Sequence, residues 1–273
     1  MTQHTILESL DPEIGARLVT RRTAILRGAS VSAVAAAGLR MASIPVAIAA
    51  LARDAFAQGS LPSAVVDVLN FALTLEYLES EFYVRGVGTA GLIPAADQPI
   101  FNTIRDHEVE HVSFLEGVLG AAKVSKPTFD FTAGNGSNAG PYADVFTNYA
   151  TFTAVAQAFE DTGVRAYKGQ APALKPYDAF LTAALTIHSV EARHAAEVRR
   201  LRGAFAEMAP HKGWITGNIT DIPGTAAVYA GEENTIQGGV DVTAFGSADA
   251  ATEAFDEPLT KAQVLAIVDP FIV

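Results

Sequence analysis

From Ser63 to Met208 apolar residues recur at alternating steps of three and four, the spacing that keeps one face of a helix dry. Breakers divide this stretch into four long predicted helices. The first runs from about Ser63 to Arg85, opened by Pro62 and closed near Gly86 and Gly88. The second runs from about Gln98 to Leu119, with Asp97 as N-cap, Pro99 in the first turn and Gly120 as the stop. The third is expected from about Tyr142 to Tyr167, ended by Gly169 and Pro172, and the fourth from about Pro176 to Met208, ended by Pro210. The first and second helices, and the third and fourth, are joined by short links. The stretch between the second and third, residues 121–141, is too long for a tight turn. The fold class is therefore all-α, a four-helix bundle with one long crossover. After it, residues 210–273 lose the helical period and are rich in glycine and threonine. They are expected to form an irregular arm wrapped on the bundle, with a short final helix from about Thr260 to Val268. Trp214 and Tyr229 are expected to anchor that arm by burial.

Polar residues interrupt each apolar seam. The seam reads Leu69, Ala72, Glu76, Glu79, Tyr83 in the first helix and Ile104, Glu108, His111, Leu115, Val118 in the second. It reads Thr153, Ala156, Glu160, Gly163, Tyr167 in the third and Ala184, Glu191, His194, Val198, Leu201 in the fourth, with Ile187 and His188 sharing one place. Each helix thus carries a glutamate near mid-seam, and two add a histidine three residues later. A step of three turns a helix by about 300°, so Glu108 with His111, and Glu191 with His194, project to one side. Four buried carboxylates without counterions would cost several kcal/mol each or take up protons. No lysine or arginine lies on these seams, whereas two divalent cations would neutralise the set. The alternative is a solvated face with surface ion pairs, which the matching heights on four seams disfavour. The chain is also weakly duplicated. Glu76 and Glu160 are each followed at seven residues by a tyrosine, Tyr83 and Tyr167, while Glu79 has Gly163 as its mate. Glu79 is expected at the surface or beside the ligands, His107 and Glu110 exposed, and Asp161, Arg165 and Arg193 in surface ion pairs. His188 is either a hydrogen-bond donor to Glu191 or a partly exposed histidine.

Composition narrows the chemistry. The chain has 273 residues, 49% of them hydrophobic and 18% charged, enough for a buried core. It has no cysteine, which excludes disulfides, thiolate ligands and cysteine nucleophiles, so a metal must be held by oxygen and nitrogen. The formal charge of −11 disfavours nucleic acid as a partner. No uncharged stretch reaches the roughly 18 residues of a membrane span. The N-terminus has the paired Arg21 and Arg22, small-residue runs on both sides of Arg40, and Ala55-Phe56-Ala57. It reads as a twin-arginine export signal over residues 1–57, followed by a bundle over 58–209 and the arm over 210–273. Export would place the protein in the periplasm or outside the cell. A cytoplasmic protein with an amphipathic N-terminal helix is the alternative.

"LNFALTLEYLESEFY", with "EVEH" and "EARH", resembles the ferritin-like di-iron carboxylate superfamily, which includes bacterioferritins and rubrerythrins. "PTFDFT" in the crossover and "YAGEENTIQGGVDV" in the arm resemble the exported, desiccation-associated members. The resemblance covers about residues 62–273. It implies a ferritin-like bundle with two iron ions, or two manganese ions, as cofactors. It implies Glu76 and Glu160 as the carboxylate ligands of the first and third helices and Glu108 and Glu191 as bridging carboxylates. His111 and His194 would be the histidine ligands, and Tyr83 and Tyr167 tyrosines that touch the ligands or carry redox chemistry. The implied activity is oxidation by oxygen or peroxide, with ferrous iron or peroxide itself as substrate, in oxidative or desiccation stress. Two alternatives stay open: a structural stress-protective protein in which the metal staples the fold, and an iron storage protein. The oligomeric state is open, a homo-oligomer included.

Overall fold

The computed structural model describes residues 61–203 and 212–273. Four long helices form the bundle: α1 Ser63–Gly88, α2 Gln98–Leu119, α3 Tyr149–Leu174 and α4 Asp178–Arg202. Helix α1 packs on α2 and α3, and α3 on α4, with the crossover between the two pairs. The protein is thus a helical bundle with the expected long second connection. The N-terminal export segment lies outside the described residues. No helix among the described residues is long and apolar enough to cross a membrane.

Helix α2 has the expected bounds, with proline in the first turn and the Gly120 N–H closing on the Glu116 carbonyl, but the Asp97 side chain makes no cap and accepts from the Tyr149 hydroxyl at 2.8 Å instead. Helix α1 continues three residues beyond Arg85. Helix α3 departs more. It begins at Tyr149, where the Asn148 side chain accepts from the Ala150 N–H at 3.0 Å. Tyr142, Val145 and Phe146 share the helical period, but they belong to the turns of the crossover and pack into the core from there. At its other end α3 runs through Gly169 and Pro172. Gly169 does not stop the helix; it admits the arm. A Cβ at that position would lie 1.9 Å from the Leu259 carbonyl oxygen. Pro172 sits in the last turn, where little helix remains for its missing N–H to disrupt. Helix α4 starts at Asp178, two residues later than predicted, and residues 204–211, where its end was expected, lie outside the described residues.

The arm contains a helical turn, α5 Ala226–Tyr229, a hairpin of β1 Ile236–Gln237 with β2 Val240–Asp241, and helices α6 Ala248–Glu253 and α7 Lys261–Val268. The hairpin turns through Gly238 and Gly239, both at positive φ, as the twist of a two-residue turn requires. Helix α7 begins one residue after Thr260, which forms a capping box with Gln263. The C-terminus pairs with the crossover: the Asp130 N–H donates to the Phe271 carbonyl, and Phe129 bridges Ile272.

The arm changes the character of α3. Because the arm covers its outer side, α3 is buried almost all round from Phe152 to Tyr167. Asp161 and Arg165 are therefore not surface residues, being 2% and 1% exposed. Asp161 pairs with the Arg199 guanidinium and accepts from the Tyr229 hydroxyl at 2.7 Å. Gln157 donates to Tyr229 and accepts from Arg202, which reaches Asp221. Arg165 donates to the Val228, Ala230 and Glu257 carbonyls and pairs with Glu232 at 2.8 Å. Arg193 is exposed, as expected. Tyr229 anchors the arm, but Trp214, at 54% exposure, does not; Ile215, Ile222 and Val228 form the apolar contact instead.

Candidate metal centre

The six glutamates and histidines singled out by the seam pattern lie together in the middle of the bundle, each at most 4% exposed. They form two overlapping groups whose ligand atoms all lie within 4.8 Å of one another. One group is Glu76, Glu108, His111 and Glu191; the other is Glu108, Glu160, Glu191 and His194. Glu108 and Glu191 belong to both. One carboxylate from α2 and one from α4 therefore lie between two half-sites. Each half-site is completed by one further glutamate, from α1 or α3, and one histidine.

The contacts are not those of ordinary one-to-one ion pairs. His111 Nδ1 lies 3.2 Å from Glu76 Oε2, 3.3 Å from Glu108 Oε2 and 3.1 Å from Glu191 Oε1. One ring nitrogen carries at most one proton and cannot serve three glutamates. His194 Nδ1 lies 2.9 Å from Glu108 Oε1 and 3.3 Å from Glu160 Oε2, yet its orientation gives it no hydrogen bond. Glu108 Oε1, Glu160 Oε2 and both Glu191 oxygens are likewise buried without a hydrogen-bond partner. Buried polar atoms are satisfied in the great majority of cases. Here the unsatisfied ones converge on common points, as they would on a central cation and would not on a proton.

The electrostatics agree. Burial, together with the charges of Glu191 and Glu108, pushes Glu76 up to about 8 against the pull of His111. Burial and the charges of Glu108 and Glu160 push Glu191 to about 8. Burial likewise raises Glu160. Glu108 is the exception. Burial would raise it too, but His111 and His194 outweigh that and hold it below the usual carboxylate range. Both histidines are raised well above their ordinary value, burial opposing and the glutamates prevailing. Without cations the cluster keeps protons it would lose in water. Divalent ions would take their place.

A family model described as a ferritin-like domain matches residues 64–204, just over half of the chain. The chain belongs to the ferritin-like domain family. No curated protein matches the chain. In this ferritin-like bundle the two tyrosines are arranged crosswise. Tyr83 of α1 donates to Glu160 of α3 at 2.5 Å, and Tyr167 of α3 donates to Glu76 of α1. Each tyrosine fixes the glutamate of the other helix, a relation that spacing within one helix could not show.

Of the two places expected for Glu79, at the surface or beside the ligands, the structure shows the second. Glu79 is 3% exposed, and its carboxyl is raised well above the usual range by burial and then by Glu191, Glu108, Glu76 and Glu160. Its mate Gly163 supplies the space: a Cβ there would lie 3.2 Å from Glu79 Oε1 and 3.3 Å from Glu191 Oε2. The absence of a side chain at 163 was the one available signal. His107 is exposed as expected, but its Nδ1 lies 2.9 Å from His194 Nε2. His188 is half-buried, with Nδ1 lacking a hydrogen-bond partner and no bond to Glu191. Glu110 is exposed.

Proposed function

We propose that this ferritin-like chain is a dinuclear metal protein that reacts with oxygen or peroxide, with ferrous iron or peroxide itself as substrate. The observation that carries the reading is the set of buried, unsatisfied carboxylate oxygens and the histidine nitrogen converging between the four helices. Glu76 with His111, and Glu160 with His194, would hold one ion each, and Glu108 and Glu191 would span the two. Oxygen and imidazole donors without thiolate suit iron and manganese. When bound, such a pair supplies redox chemistry toward dioxygen or peroxide. The chain's own part is to orient and to exclude. Tyr83 and Tyr167 hold Glu160 and Glu76 in place through their hydroxyls. The apolar walls keep bulk water from the carboxylates. Glu79 lies beside Glu191, and burial with the neighbouring glutamates favours its neutral form, which suits a proton store at the edge of the cluster.

The export signal over residues 1–57, a periplasmic or extracellular location and a role in oxidative or desiccation stress belong to the same proposal. They are supported by the sequence of the N-terminus, the crossover and the arm. Elemental analysis of protein expressed with iron and manganese, followed by peroxide-consumption and ferrous-oxidation assays, tests the reading. Two ions per chain with turnover support it. Two ions without turnover leave the metal as a structural staple, and no ions refute the centre.

A further inference from the structure

The two halves of the cluster are alike in ligands but not in what lies behind them. His194 faces the glutamates with Nδ1, so its other nitrogen, Nε2, points away from them. That nitrogen lies 2.9 Å from Nδ1 of His107, on α2, and the two rings meet edge to edge, 5.2 Å apart between centroids with 14° between their planes. His107 is itself exposed. Aligning Glu108 with Glu191 places His107 in register with Val190 on α4, a side chain that has no acceptor to offer. Among the described residues, therefore, one half of the duplicated site has an imidazole behind its histidine and the other does not.

A histidine that ligates through Nδ1 carries its proton on Nε2. A partner that accepts this proton fixes the tautomer, holds the ring plane and makes the ligating nitrogen more basic. We infer that His107 is a positioning residue for the His194 half of the centre, accepting the Nε2 proton of His194 at its own Nδ1 and thereby making the two metal positions unequal. This inference rests on the reading of the cluster as a metal centre. Removing the acceptor weakens the ion on the His194 side about 10–100-fold, the usual effect of losing such a partner. The ion on the His111 side keeps its affinity.

The test is titration of metal-free, full-length protein with manganese(II), counting free ion by electron paramagnetic resonance. Three variants separate the roles of His107. His107→Val installs the residue of the duplicated position. His107→Phe keeps a planar aromatic ring beside His194 but has no acceptor. His107→Asn places an amide oxygen near the position of Nδ1. The expected result is two ions per chain in the unmodified protein and one of the two weakened in the Val and Phe variants. The Asn variant should recover most of the affinity. Thermal denaturation of the metal-free proteins should show every variant folded, with one cooperative transition as in the unmodified protein, so that a weakened ion is not a lost fold. The inference is overturned if His107→Phe binds both ions as the unmodified protein does, or if all three variants weaken both ions equally. Failure of the unmodified protein to bind manganese at all would remove the metal reading itself, and this inference with it.

Discussion

Removing metal while raising the pH should destabilise this protein, against the common pattern in which deprotonated carboxylates support the fold. Glu76 and Glu191 titrate at about 8 in the folded, metal-free chain, against a reference of 4.5. Between those values the folded state binds more protons than the unfolded state, so stability falls as pH rises. From about pH 5.5 to about pH 8.5 each carboxyl loses about 3 kcal/mol, at about 1.36 kcal/mol per unit. The histidines act in the same direction. Both are raised above their reference of 6.5, so their contribution is complete below that value and is lost as pH climbs through the folded value. Glu108 acts oppositely, but only in acid below its reference of 4.5. A total of about 3–6 kcal/mol is a large part of the roughly 5–15 kcal/mol that holds a domain together. Urea denaturation of chelator-treated protein at the two pH values measures the difference. Repeating it with excess manganese should abolish or reverse the trend, because ions that replace the protons bind better as pH rises. Metal-free protein that grows more stable between pH 5.5 and 8.5 would show that the cluster does not hold protons, and the argument from converging oxygens would fail with it.

Other outcomes follow from single contacts. Asp161→Asn leaves Arg199 buried without its counter-charge and should cost about 3–5 kcal/mol in thermal denaturation, although the residue touches no ligand. Tyr83→Phe removes the donor to Glu160 and Tyr167→Phe the donor to Glu76. Each should lower metal affinity about 10–100-fold in a manganese titration. Gly163→Ala improves helix propensity by about 0.5–1 kcal/mol while pressing on Glu79 and Glu191, so metal affinity should fall about tenfold without loss of fold stability.

Helix existence, the bundle with its long crossover and the gathering of six polar residues at one height could all be read before any coordinates. Helical period is a local property, and a residue's place on a seam follows from counting along one element. The ends of α2 were equally legible, because proline and glycine act on the backbone where they stand. The end of α3 was not. Gly169 looks like a stop in the sequence, and only the approach of Leu259 shows that it makes room for another backbone. Asp161 and Arg165 lie on the face of α3 that a lone bundle would give to water, and the arm covers that face from some 65 to 90 residues away. Whether Glu79 lies at the surface or beside the ligands was decided by the empty place at Gly163 that faces it. The sequence alone therefore determined which residues share a face of each helix, because that depends on chain geometry over a turn or two. Tertiary structure alone decided which faces meet water, which tyrosine holds which glutamate and which histidine has an imidazole behind it. Those relations depend on distances between segments that no local period encodes.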